Sequence, residues 1–194
     1  MKVDTQFLSS WIKRSYRVIF EAKRAWDVIN RETPSELFLF QNYALPWLIC
    51  CVLVKSLFAV IYASEPTFTL FFLIFVTSSV SYFGGYFMSC YFSAVIVRRY
   101  FKPNAYREDI YKLVTYCLTV VWALDTVIAI IPEVRILSIL KLYMVYLLWD
   151  GGQKIVGISE QDMTTLVIIL TLVLLFSVPV INFFMGMLLP NADL

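Results

Sequence analysis

Long uncharged runs dominate the pattern of polar and apolar positions. No charged side chain occurs from Pro66 to Val97, and none from Met163 to Ala192. Three further stretches, 38–63, 112–131 and 134–150, are apolar with isolated charges inside them. An α-helix needs about 20 residues to cross about 30 Å of hydrocarbon, and helices or closed barrels alone satisfy their backbone in lipid. The pattern predicts an all-α, polytopic membrane protein with five transmembrane helices at 38–63, 67–97, 112–131, 134–150 and 163–189. The second and fifth exceed the bilayer, so they should tilt, kink or project, with Pro46 and Pro179 as expected kink positions. Thr33 is expected to N-cap the first span, with Pro34 at its first position and Glu36 completing a capping box. Pro132 and Glu133 should turn the third span into the fourth. Gly151 and Gly152 read as the stop of the fourth helix.

The first 36 residues form a separate segment ahead of the 37–194 membrane domain. Leu8, Ile12, Tyr16, Ile19, Ala22, Trp26 and Ile29 recur at helical spacing, and basic residues lie largely between them. This predicts an N-terminal amphipathic helix in the membrane interface, anchored by Trp11 and Trp26. The alternative is a helix packed on the membrane domain.

Composition agrees with a membrane protein. Hydrophobic residues make up 60% of the chain and charged ones 15%, with mean hydropathy +0.76. A soluble domain needs more charged surface. No apolar h-region follows a short basic start, so no cleavable signal peptide is expected. Histidine is absent, which removes the commonest general base and metal ligand. Cys50, Cys51, Cys90 and Cys117 all fall in apolar segments without metal spacing. Charge placement then orients the chain. With the N-terminus inside, thirteen Lys/Arg lie on the cytoplasmic side and only Arg135 outside. The C-terminal "PNADL" is then external.

Two constellations stand out. Lys55, Asp125 and Lys141 sit in apolar surroundings at similar depth, about 10–14 Å from the outer end at helical rise. A lone charge there costs about 2.5–3.5 kcal/mol on insertion scales, so Asp125 should pair with Lys141 or with Lys55. The pair either fixes helix register or serves an ion or proton relay. The other constellation is Ser81, Gly85, Ser89 and Ser93, a stripe of small residues that lets another helix approach closely, within the chain or on a second copy.

Enzyme motifs are missing. "WDGGQK" (149–154) matches a fragment of the acidic motif of phospholipid-head-group transferases but lacks its downstream aspartates. There is no phosphate-binding loop, GxSxG elbow or HExxH. No catalytic residue, cofactor or metal site is implied.

Several segments resemble the Yip family of five-span membrane proteins. They are Lys112, Leu113, Val114 and Tyr116 at the start of the third span, then Pro132, then Leu142, Tyr143, Tyr146, Leu147 and Gly151 in the fourth. Trp26 and Ile29 match a Trp-x-x-Ile segment ahead of the first span in bacterial members. The chain departs from the family in having Leu118, Thr119 and Val120 where members often carry a proline. The resemblance implies five spans, a cytoplasmic N-terminus and no inherited catalytic residues. The short basic N-terminal segment is closer to prokaryotic members, so the Rab-GTPase role of eukaryotic relatives is not carried over.

The expected function is that of a non-enzymatic membrane protein, in the bacterial cytoplasmic membrane, that organises or regulates other membrane components. Its basic face, with Lys13, Arg14, Arg17, Lys23, Arg24, Arg98, Arg99 and Lys102, is the expected docking surface for anionic lipid or an acidic partner. Expected partners are membrane lipids and another membrane protein or a second copy, with no nucleic acid. The alternative is a small transporter or channel built on the Lys55/Asp125/Lys141 layer.

Overall fold

The computed structural model describes residues 5–188, and every described element is helical. Helices α1 (Thr5–Phe20) and α2 (Ala22–Arg31) precede α3 (Glu36–Ile61), α4 (Phe68–Phe101) and α5 (Arg107–Ile130). A 3-10 stretch, Pro132–Leu142, runs into α6 (Tyr143–Gly151), and α7 (Glu160–Leu188) follows. Four of these, α3, α4, α5 and α7, are long and apolar enough to cross a membrane. The C-terminal PNADL segment, expected outside, lies outside the described residues.

Helix α5 is the centre of the bundle. From Ile110 to Trp122 every residue except Tyr111 is buried. A helix apolar on all sides needs neighbours on all sides, and α3, α4, α6 and the 3-10 stretch provide them. The outer helices instead expose rows of large apolar side chains. Examples are Leu53, Leu57 and Ile61 on α3, and Leu172, Phe176 and Phe183 on α7. These faces meet lipid.

Helix starts and stops differ locally from the sequence expectation. The first span is capped by Ser35, whose hydroxyl accepts from the Phe38 N–H at 3.2 Å, and not by Thr33. Proline 34 cannot donate and its ring disfavours helix in the residue before it, so the helix begins two residues later. Proline 46 lies just after a π turn, Phe40–Ala44. The wider turn accommodates a ring that would otherwise press on the carbonyl four residues back. Helix α7 runs through Pro179 without a break.

The fourth apolar segment shows the largest departure. Its first half winds as a 3-10 helix, with Val134 outside helical geometry (φ −86°, ψ 20°). The second half passes through Gly151 and Gly152 into a π turn ending at Gly157, whose φ is +66°. Gly157 is therefore the stop, because left-handed backbone suits glycine. Gly151 and Gly152 serve close packing: a methyl group on Gly151 would lie 2.8 Å from Trp26, and one on Gly152 2.9 Å from Met163.

Candidate functional site

The 3-10 stretch carries Lys141 back beside α5, where its Nζ donates to Asp125 Oδ1 in an ion pair. Both side chains are largely buried, with 23% and 18% exposure. Side chains on helices lean toward the N-terminus of their own helix. In an antiparallel hairpin that direction brings Asp125 and Lys141 toward each other. Lys55, the other candidate, lies over the Tyr82 ring at 5.9 Å from its centroid.

All three charges line one cavity of about 450 Å³ between α3, α4, α5, the 3-10 stretch and α7. Arg135 lines it as well, so three cations share the space with one carboxylate. Charge placement alone puts Arg135 at the outer surface. Its position three residues after the turning proline, opposite the end of α5, was the signal for its place here. The hydroxyls around the cavity are mostly engaged with protein. Tyr62 donates to the Ile130 carbonyl at 2.6 Å, and Tyr86 shares a hydrogen bond with Thr115 at 3.1 Å.

The small-residue stripe faces α7. Ser81 donates to Asn182 Oδ1, and Ser89 to the Ser177 hydroxyl at 2.7 Å. At Gly85 a methyl group would stand 2.6 Å from Val178 Cγ2 and 3.3 Å from the Val178 backbone. Ser93 continues the buried line. Without a hydrophobic drive in lipid, such close approach and interhelical hydroxyl bonds supply the attraction.

At the opposite end of the bundle from Pro132, α1 and α2 form an arm clamped on the helices. The expected continuous stripe is divided by a break at Glu21 (φ −126°, ψ 42°). Beyond the break, Ala22, Trp26 and Ile29 face inward and are buried. Before it, Ile12, Tyr16 and Phe20 are more than half exposed, at 57%, 56% and 69%. The side chain of Leu8 lies outside the described residues.

The basic residues divide in the same way. Lys13, Arg17, Lys23, Arg24, Arg98 and Arg99 are exposed. Arg14 instead pairs with Glu32 and lies 5.1 Å from the Tyr116 ring centroid. Partial burial opposes its charge, but Tyr116 and Glu32 outweigh that and hold its pKa above the ordinary value. Lys102 donates to the Val156 carbonyl at 2.6 Å and to that of Gly157 at 3.3 Å, which satisfies the end of the π turn. Arg14 and Lys102 are thus built into the fold. Three contacts between segments distant in sequence complete the clamp. Lys154 bridges to Asp27 at 2.9 Å, Lys112 donates to the Glu32 carbonyl at 3.0 Å, and the Trp11 indole donates to the Tyr43 carbonyl at 3.2 Å. Partners this distant in sequence leave no local pattern.

Cys51, Cys90 and Cys117 are buried and Cys50 partly so, all as free thiols. Among the described residues no three Cys, Asp or Glu side chains gather in a way that could hold a metal ion.

Comparison with curated proteins gives no match. Comparison with solved structures gives none either. The sequence profile of the Yip1 domain matches residues 16–181, which takes in most of the arm, the charged cavity and nearly all of the bundle. The chain is therefore a membrane protein of the Yip1 domain family.

Proposed function

We propose that this protein is a non-enzymatic membrane scaffold whose arm rests on an anionic bilayer surface and presents the bundle to other membrane components. The carrying observation is the open face of α1. Ile12, Tyr16 and Phe20 follow one another at four-residue steps, exposed, with exposed Lys13 and Arg17 beside them. An apolar row bordered by cations matches the boundary between acyl chains and anionic headgroups. Trp11 joins the arm to the bundle, packing on Trp47 with centroids 4.9 Å apart.

On this reading the chain crosses the membrane five times. Stretched 3-10 winding followed by α6 covers about 35 Å, close to the length of α5 beside it and to the thickness of a bilayer. The arm, the Arg98–Arg99 turn and Lys154 then lie in the cytoplasm, and the Pro132 turn lies outside, in a bacterial cytoplasmic membrane.

Full-length protein in phosphatidylcholine nanodiscs, mixed with phosphatidylglycerol vesicles, tests the docking. The wild-type protein should co-sediment. Replacing Lys13, Arg17, Lys23 and Arg24 with Gln should weaken binding about a hundredfold or more, at about 1 kcal/mol per basic residue near the surface. Unchanged binding by that variant, or equal binding to neutral vesicles, refutes it.

A further inference from the structure

We propose that the cavity among α3, α4, α5, the 3-10 stretch and α7 binds the phosphate of an acidic membrane lipid. Charge balance carries the inference. Asp125 is the sole carboxylate among the lining residues and is engaged by Lys141. Lys55 and Arg135 remain, and no carboxylate among the described residues lies within 4 Å of either. Lys55 brings three N–H donors and Arg135 five. The neighbouring hydroxyls of Tyr62 and Tyr86 already have partners within the protein. What the cavity offers in surplus is positive charge and N–H donors, so its ligand is an anion with several acceptor oxygens. Lys55 is partly buried, where a cation without a close counter-charge is costly, and Arg135 is exposed on the same cavity. A phosphate between them offsets the cost at Lys55.

The rest of the lining points to a lipid as the source. Deeper along α5 and α7 than the charged layer, the walls are Leu118, Val121, Leu174 and Val178. A bare inorganic anion leaves this portion unfilled, whereas an acyl chain fits it. The volume of about 450 Å³ falls within the usual range for small-molecule sites. A zwitterionic headgroup is disfavoured, because its cation would meet the same positive surplus.

The test uses full-length protein, delipidated in neutral detergent, with native mass spectrometry and thermal melting as readouts. Phosphatidylglycerol, phosphatidylcholine and inorganic phosphate are added separately. One phosphatidylglycerol should bind per protein and raise the melting temperature, in preference to phosphatidylcholine. Lys55→Gln and Arg135→Gln should each weaken binding about tenfold, the loss for one charge-assisted hydrogen bond. Lys55→Arg should retain it, which separates loss of the ligand contact from misfolding. A variant with Lys13 and Arg17 changed to Gln should keep the bound lipid, so arm docking and cavity binding stand or fall separately. Equal binding of both lipids, wild-type affinity in both Gln variants, or stabilisation by inorganic phosphate alone overturns the proposal.

Discussion

Losing Lys141 should cost more when Lys55 is also missing than when Lys55 is present. In the wild-type protein Asp125 is held by Lys141, while Lys55 lines the same cavity over Tyr82. Lys141→Met leaves a carboxylate in a site where its side chain is only 18% exposed. A lone charge at mid-membrane costs about 2.5–3.5 kcal/mol on insertion scales. Lys55 on the same cavity lowers that figure, so the single substitution should cost about 1–2 kcal/mol. Asp125→Asn added to Lys141→Met removes the orphaned charge and should recover part of the loss, giving a coupling of about 1 kcal/mol. In a Lys55→Met background only the exposed Arg135 is left among the cavity's other cations, and the cost of Lys141→Met should rise toward about 3 kcal/mol. Unfolding by dodecyl sulfate in mixed micelles, followed by tryptophan fluorescence, measures each corner of the cycle. Coupling below about 0.5 kcal/mol, or the same Lys141→Met cost with and without Lys55, would falsify the pairing scheme.

Two glycines on different faces make a second test. Gly85→Ala should destabilise the α4–α7 contact by about 1–3 kcal/mol, because its methyl group meets the Val178 backbone, which cannot rotate away. Gly186→Ala, with nothing within 4 Å of the new methyl, should be neutral or stabilising by up to about 1 kcal/mol in the same unfolding assay. A third test concerns the arm. Gly151→Ala places a methyl 2.8 Å from the Trp26 ring, so amide exchange in α2 should speed up while α4 and α7 stay protected; unchanged exchange in α2 would mean that the ring contact does not hold the arm.

The helical architecture and four of its long membrane segments were legible from residue order. A bilayer demands a continuous apolar run of fixed length, and that demand is written locally in each segment. The level shared by Asp125 and Lys141 was legible for the same reason, since a proline turn between two helices ties distance along the chain to depth. The close-packed stripe could be read too, because small residues at four-residue spacing share one helix face.

Only the packed structure decided which partner each group takes. Asp125 had two cations at similar depth, and the path of the 3-10 stretch selected Lys141. The basic residues look alike in sequence, yet Arg14 and Lys102 are spent on Glu32, Tyr116 and the end of a π turn while Lys13 and Arg17 stay exposed. The helix break at Glu21 separates an inward stripe from an outward one without any proline or glycine to announce it. Periodicity records which residues share a face, whereas the identity of what covers that face depends on contacts between distant segments. Those contacts exist only once the helices have come together.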